Sequence, residues 1–462
     1  MDEHFYFGGG AAGSTMHPVV LALTLLTVAL VLALPRRHTF APFIAAALLT
    51  PAGAQLYLGG FHFFVPRIVL LAALCRLIWA KVGLSDRIFP GGLTLFDRTF
   101  FLWAFCRAVA FVALHKSGGA VTYELAFWLD TFGAYILFRY AIRDHRDVLR
   151  AVKVMVAIVA LLGVCMLYEH LTRFNVFNLI RTSAIVPWLR DDHVRAQGPF
   201  AQSITAGCFG ATLLPLSFWL WKRGGTKALG LVGLAAATVV TVSSNAGTPA
   251  SALMGAGVAL ALWPIRKHMR TMRWGIALTV IALALAMKAP VWYLIERLNF
   301  VGGHSWDRAF LMDQFSRHIG TWWLFGTSEN ASWGVSTWDM CSQFVAEAGS
   351  GGLVTLVLFT ALVCQGFGMI GRARKMAEGD KRHEWLFWCL GATLFAHIMA
   401  FQGVSYFDQS RFWWYAYLAV ILAATSTSAA PARPERSGSG MESPTAPGEF
   451  ETTPVEQAAG TL

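Results

Sequence analysis

Apolar segments long enough to cross a lipid bilayer recur along almost the whole chain. A transmembrane helix needs about 20 mostly apolar residues, and thirteen runs approach or reach that length: 17–34, 40–58, 63–80, 98–115, 122–142, 151–169, 201–221, 228–243, 247–264, 273–291, 351–371, 384–402 and 411–428. Hydrophobic residues make up 56% of the chain and charged residues 14%, which is more apolar surface than one soluble core can bury. The sequence therefore predicts an all-α polytopic membrane protein with about 12 to 13 transmembrane helices.

Two longer polar segments interrupt this pattern. Residues 170–200 follow the sixth apolar run, and residues 292–346 form a large loop between the tenth and the eleventh. Residues 1–430 are predicted to form the polytopic domain. Residues 431–462 are rich in Ser, Pro, Gly, Thr and Glu with almost no large apolar side chain, a composition that cannot bury enough surface to fold. We expect them to form a disordered cytoplasmic tail.

Lysine and arginine predict the orientation, because positively charged loops remain on the cytoplasmic side. With the amino terminus outside, the inner loops and the tail hold 22 of these residues and the outer loops nine: Lys116, Arg173, Arg181, Arg190, Arg195, Arg297, Arg308, Arg317 and Arg411. The net charge of +11 therefore reflects topology, and nothing in the chain indicates nucleic-acid binding. We expect both large loops to face the outside.

Other common motifs do not suggest chemistry. The seven cysteines form no CxxC or Cys/His spacing, so we expect no metal and no cofactor. No Walker A sequence is present, which argues against an ATP-driven pump. Five charged residues inside predicted spans must snorkel, pair or line a cavity: Arg76, Arg107, Asp130, Lys153 and Lys288.

Three motifs on the predicted outer side resemble the O-antigen ligase and polymerase superfamily of bacterial envelope proteins. They are R-x-x-G-x-F at 195–200, SWDRAF at 305–310 with WWLFG at 322–326, and QFVAEAGSGGLVTLVLF at 343–359. The SYFDQ segment at 405–409 is further similar to the exopolysaccharide polymerase branch. The resemblance covers about residues 190–420.

The resemblance implies a metal-independent, GT-C-like glycosyltransferase in the bacterial inner membrane. Its donor would be an undecaprenyl-diphosphate-linked glycan, and its partners would be membrane lipid and other polysaccharide-assembly proteins. Ligases of the family carry His-Asn before the Q-x-x-A-E segment, whereas this chain has Trp338-Asp339, which favours the polymerase-like branch. The predicted catalytic residues are Asp339, His304 and Asp408. The predicted diphosphate-binding residues are Arg195, Arg308, Arg411 and Gly198.

The sequence leaves alternatives open for both the residues and the protein. Asp339 could instead cap a helix that begins near Cys341, because Asp is favoured at helix amino termini. Gln343 and Glu347 are expected to hold helices together rather than to take part in chemistry. Arg195 and Arg308 could instead contact lipid phosphates. The protein could also be a ligase that transfers finished glycan to lipid or protein, or a carrier of lipid-linked oligosaccharide.

Overall fold

Apolar helices dominate the computed structural model, which describes residues 13–59, 61–83, 86–89, 91–293 and 305–426. Helices account for 75% of the described residues, whose strands form two short two-stranded hairpins. The structure is therefore mostly helical, as an all-α membrane protein should be. The predicted tail at 431–462 lies outside the described residues.

The helices of the first half are α1 (Pro18–Ala33), α2 (Phe40–Leu49), α3 (Val65–Gly83), α4 (Leu95–His115), α5 (Gly118–Trp128), α6 (Ala134–Ala141), α7 (His145–Thr172) and α8 (Ser203–Lys222). A π-helical turn, Leu129–Gly133, joins α5 to α6. The helices of the second half are α9 (Lys227–Ser243), α10 (Gly247–Ala261), α11 (Met269–Ala286), α12 (Ser305–Arg317), α13 (Ile319–Trp322), α14 (Gln343–Met376), α15 (Lys381–Phe401) and α16 (Gln409–Ser426). The strands are β1 (Gln55–Leu58), β2 (Phe61–Phe64), β3 (Leu189–Arg190) and β4 (His193–Val194).

Five helical segments of the described chain are long and apolar enough to cross a membrane. They are α7, α8, α14, α15 and the segment Trp263–Ala286, which contains α11. The helices α1, α9 and α10 are apolar but shorter. The protein is therefore membrane-embedded, while the number of 12 to 13 spans stays a prediction.

The predicted span at 40–58 is wrong. Helix α2 ends at Leu49, and the chain then forms the antiparallel pair β1–β2, in which Leu58 lies opposite Phe61. Pro51 explains the early end, because proline disfavours the helical conformation of the residue before it and cannot donate a backbone hydrogen bond. The other twelve apolar runs coincide with described helices.

The core is built around the last helix. Of the 18 residues of α16, only Arg411 and Ser426 are not buried. Helix α8 packs against α7, α9, α10 and α15, and α14 packs against α4 and α15. Small residues allow these close approaches: a Cβ on Gly210 of α8 would lie 2.9 Å from the backbone oxygen of Ala237 in α9.

Two of the charged residues inside predicted spans, Arg107 and Asp130, form ion pairs, which is one of the three arrangements expected for them. Arg107 contacts Glu124 at 2.9 Å, and Asp130 of the π-helical turn contacts Arg67 at 2.9 Å. Arg76 donates hydrogen bonds to the backbone oxygens of Val31, at 2.5 Å, and Leu32, at 3.0 Å. Pairing of this kind offsets the loss of water around a buried charge.

Helix α14 is broken at Gly352. Backbone groups freed by the break form hydrogen bonds with the large loop. Gly352 has φ +71° and ψ −168°, so the helix interrupts there. The oxygen of Gly349 and the N–H of Leu353 would bond each other in an unbroken helix. Instead, Thr327 donates its N–H to the Gly349 oxygen at 2.8 Å, and Leu353 donates to the oxygen of Trp323 at 2.8 Å. The WWLFG segment thus docks into the open helix.

Candidate functional site

A cavity of about 340 Å³ brings together four parts of the chain that are far apart in sequence. The first lies before and at the start of α8, the second at the start of α10, the third in α12 and the loop that follows it, and the fourth before α16. Its lining is Arg190, Arg195, Gln202, Ile204, Ala246, Gly247, Asp307, Arg308, Ser336, Trp338, Asp339, Cys341, Gly403, Val404, Ser405 and Phe407. Three of the seven predicted site residues, Arg195, Arg308 and Asp339, therefore share one cavity.

Arg195 is positioned by the β3–β4 hairpin. Asp191 and Asp192 form its two-residue turn with φ of +51° and +61°, a conformation that Asp adopts more readily than most residues. The Arg195 N–H bonds the oxygen of Trp188 at 2.8 Å, and the Ala196 N–H bonds Ser243 at the end of α9 at 2.9 Å. The hairpin is therefore tied to the helical core.

A buried glutamate holds the segment that follows Arg195. Glu169, in the last turn of α7, accepts hydrogen bonds from Asn175 Nδ2 at 3.1 Å and from the N–H groups of Gln197 at 3.2 Å and Gly198 at 2.8 Å. Gly198 has φ +57°, and its oxygen accepts from Asn175 at 2.8 Å and Arg181 at 3.2 Å. Gly198 does not line the cavity, and both of its backbone polar groups are engaged in holding the loop.

Arg308 lies in the first turns of α12 against the backbone of Gly403. A Cβ on Gly403 would lie 2.9 Å from Arg308 Cζ and 2.3 Å from Thr248 Oγ1. Thr248 also donates a hydrogen bond to the Gly403 oxygen at 3.3 Å. Only glycine leaves room for the guanidinium at this point. Neither Gly403 nor Thr248 is among the residues predicted from the sequence.

Asp339 belongs to a loop that is folded on its own polar groups. Asn330 Nδ2 donates to the oxygens of Thr337 at 2.9 Å and Trp338 at 3.1 Å, and Thr337 Oγ1 donates to the Asn330 oxygen at 2.6 Å. The suggestion that Asp339 caps a helix is wrong, because α14 begins at Gln343 and its cap residue is Ser342.

Asp339 lines the cavity and is exposed at its surface. The surrounding protein still removes water from it, and this burial raises the pKa of Asp339 above the ordinary value. Its neighbour Cys341 also lines the cavity. Burial, followed by the charge of Asp339, raises the pKa of the Cys341 thiol to about 11. The thiol is therefore protonated at neutral pH, and Asp339 is the better proton acceptor of the two.

The cavity is suited to an anion. Arg190, Arg195 and Arg308 line it, and the amino-terminal ends of α8 and α10 contribute Gln202 and Gly247. The Nε atom of Arg195 is buried without an acceptor among the described residues. Burial, followed by the charge of Arg190, lowers the pKa of Arg195. An anion bound between the two guanidinium groups would offset their repulsion.

Arg190 was not among the predicted site residues, although the sequence contains a signal for it. In the hairpin, Arg190 pairs with His193. Side chains alternate along a strand, so Arg195 follows His193 on the same face as Arg190. Recognition of Asp191-Asp192 as a tight turn would have placed both arginines together.

Arg411 and Asp408 lie in a different group. Arg411 donates from Nε to the Tyr406 oxygen at 3.3 Å, and its Cζ lies 5.0 Å from the centre of the Phe127 ring. The charge of Asp408 interacts with those of Arg411, Asp130 and Arg67. Phe407 lines the cavity, but neither Asp408 nor Arg411 does so in the described part of the chain. His304 lies outside the described residues.

Gln343 and Glu347 hold the elements around the site, as predicted. Gln343 donates to Glu347 at 2.6 Å and accepts from the Tyr406 N–H at 2.5 Å, while Trp103 of α4 donates to Glu347 at 2.9 Å. This network ties α4, α14 and the segment before α16 together. The cavity walls from α14 and from 403–407 are therefore kept in register.

Comparisons with known proteins do not assign the chain to a family. No family model matches the chain, and no curated protein matches it significantly. Within the described residues, no group of three or more His, Cys, Asp or Glu side chains is arranged to hold a metal ion. The cavity and the residues that line it are therefore the features that indicate a function.

Proposed function

We propose that the protein is a membrane glycosyltransferase that polymerises or transfers lipid-diphosphate-linked glycan in bacterial surface polysaccharide or exopolysaccharide assembly. The observation that carries the proposal is the meeting of Arg195, Arg308 and Asp339 in one cavity. Glycosyl transfer from a lipid diphosphate needs a cationic site for the leaving group beside a base for the acceptor. The resemblance of the surrounding motifs to the O-antigen ligase and polymerase superfamily supports the same reaction.

The arginines would bind the diphosphate. As the bond between the anomeric carbon and the diphosphate oxygen breaks, negative charge grows on the departing lipid diphosphate. Guanidinium groups stabilise this charge through charge-assisted hydrogen bonds, and the amino termini of α8 and α10 add to the positive potential. Arg308 makes no salt bridge to a carboxylate in the described residues, so its donors remain for the substrate.

Asp339 would act as the general base. A hydroxyl of the acceptor sugar attacks the anomeric carbon, its proton passes to the carboxylate, and the undecaprenyl diphosphate leaves. A positioned base typically accelerates such a step by about 10²–10⁴-fold. The raised pKa of Asp339 makes its carboxylate a stronger base than that of an ordinary aspartate.

The proposal is tested with purified protein and a synthetic undecaprenyl-diphosphate-linked repeat. Wild-type protein should lengthen the glycan or move it to an acceptor. Arg195→Ala and Arg308→Ala should each lower kcat by on the order of 10²–10³-fold, because each removes a donor to the developing charge. Product length, measured by gel or mass spectrometry, gives the readout.

Arg317→Ala is the matched control. Arg317 lies on α12 like Arg308, but it pairs with Asp313 at 2.7 Å and its side chain is 68% exposed away from the cavity. Its removal should leave turnover unchanged. Equal turnover in all three variants would contradict the assignment of Arg195 and Arg308 to diphosphate binding. Transfer to lipid or protein without lengthening would identify a ligase, and flux through proteoliposomes without turnover would identify a carrier.

A further inference from the structure

A second cavity, of about 180 Å³, lies at the opposite end of α7 from the first. Its walls come from the segment after α1, the start of α2, the end of α6 and the first turns of α7. Arg150 lines this cavity, and Glu169 supports the loop of the glycan site. The two residues are 19 positions apart on α7, which is about 28 Å along a helix and close to the thickness of a bilayer core.

Basic side chains outnumber acidic ones around this cavity. Arg37, Arg150 and Lys153 line it, and Asp147 is the acidic residue in the lining. Asp147 is already satisfied: it bonds Arg36 at 3.3 Å, the N–H of Arg143 at 3.1 Å, and the guanidinium of Arg150. It therefore has little capacity left to neutralise the remaining cations.

Arg37 and Lys153 have no partner among the described residues. Neither makes a hydrogen bond or an ion pair with the described part of the chain. Lys153 lies eight residues into α7, about 12 Å from its first residue, where an ammonium group without a counter-ion is costly. Arg37, by contrast, is exposed just before α2. The two cations therefore line the cavity at different depths, Arg37 near the membrane surface and Lys153 further inside.

Apolar side chains complete the walls. Phe40, Ala41, Ile142 and Val154 line the same cavity beside the cations. Charge counting also predicts this end of the molecule to face the cytoplasm, where Arg36 and Arg37 contribute to the inner positive charge. A basic cavity between helices with apolar walls at that level matches one kind of molecule, an anionic lipid with a phosphate head and acyl tails.

We propose that this cavity binds an anionic phospholipid of the inner leaflet. Its phosphate lies between Arg37 and Lys153, and an acyl chain lies along Phe40, Ala41 and Val154. The bound lipid supplies the negative charge that Asp147 cannot supply and stabilises the junction of α2, α6 and α7. This site is separate from the glycan cavity and does not depend on the proposed glycosyl transfer.

The test measures the thermal unfolding of the full chain in detergent with added phosphatidylglycerol, phosphatidylcholine or inorganic phosphate. Phosphatidylglycerol should raise the Tm of the wild-type protein, and the other two should not. The double variant Arg37→Gln, Lys153→Gln should bind phosphatidylglycerol on the order of tenfold more weakly, because two attracting cations are removed. Native mass spectrometry counts the lipid that remains bound.

Two further variants keep the test decisive. Arg270→Gln, Arg273→Gln removes the same charge from exposed positions on α11, outside the cavity, and should retain the wild-type response. Ala41→Leu fills the cavity without changing a charge, and its Tm should no longer rise with phosphatidylglycerol. This variant tests the site even if the double variant fails to fold. An unchanged phosphatidylglycerol response in Ala41→Leu, or an equal response to inorganic phosphate, would overturn the proposal.

Discussion

The guanidinium of Arg308 occupies space at the cavity that is free because residue 403 is glycine and has no side chain. The sequence indicates Arg308 as a candidate because it opens the large loop, yet nothing in its neighbourhood along the chain indicates Gly403, 95 positions later. The contact of the guanidinium with Gly403 and Thr248 exists only after α10, α12 and the segment before α16 have packed. Charge can be predicted from sequence, whereas the surface on which the charge lies requires the tertiary structure.

Asp339 allows a prediction about pH. Burial raises its pKa, so it gains a proton at a higher pH than an ordinary aspartate does as the solution is acidified. A general base works only when unprotonated, so kcat/KM should fall with decreasing pH through that raised pKa. Asp339→Asn should be slower by on the order of 10²–10⁴-fold and should lack this acidic limb. The pH profile of glycan transfer is the measurement.

The effect of Asp339→Asn on stability can be separated from its effect on catalysis. A carboxyl whose pKa is raised in the folded protein binds protons more tightly there than in the unfolded chain, so its contribution to stability declines as the pH rises through that range. Removing the charge should therefore leave the neutral-pH Tm of Asp339→Asn no lower than that of the wild type. Asp192→Asn, in a turn with φ +61° that Asn also tolerates, is the control and should keep the full profile. An acidic limb that persists in Asp339→Asn would assign the base to another group.

The broken helix α14 explains why two of the motifs occur together. WWLFG and the glycine-rich part of QFVAEAGSGGL form one structural unit, since Thr327 and Leu353 bond across the break. The sequence predicts an apolar run at 351–371, but periodicity cannot reveal that the helix starts at Gln343 and opens at Gly352. The opened backbone is satisfied only by a segment about 25 residues earlier, which local sequence does not encode.

This element predicts a defined stability loss. A Cβ on Gly352 would lie 2.3 Å from the Leu324 oxygen, and its φ of +71° is unfavourable for any other residue. Gly352→Ala should therefore destabilise the protein by about 1–3 kcal/mol and weaken glycan transfer, because the loop bearing Asp339 loses its attachment. Gly371→Ala, in the same helix with no atom near the new Cβ, should be neutral or slightly stabilising. Thermal unfolding compares the two, and equal melting temperatures would contradict the role of the break.

For the whole molecule, hydropathy predicts helices much better than it predicts contacts. Twelve apolar runs are helical because burying apolar side chains in lipid or protein requires a self-satisfied backbone. The prediction of one span at 40–58 is wrong because the mostly apolar composition continues past the end of the helix. Hydropathy does not register that Pro51 ends it. Of the predicted site residues, the cavity brings together Arg195, Arg308 and Asp339, whereas Arg411 packs against Phe127 outside the cavity lining. All of these are charged residues near predicted helix ends, and only packing separates them.

Orientation is the property of the whole molecule on which the proposed reaction depends. Charge counting predicts that the cavity lined by Arg195, Arg308 and Asp339 opens to the outside and that Lys267 lies inside. Val335, beside the cavity loop, is 75% exposed, and the Lys267 side chain is 65% exposed. A membrane-impermeant thiol reagent should therefore label Val335→Cys in intact cells and Lys267→Cys only after permeabilisation, with the wild-type chain measuring labelling of native cysteines. The reverse pattern would put the cavity in the cytoplasm, where a transfer reaction on the outer face could not use it.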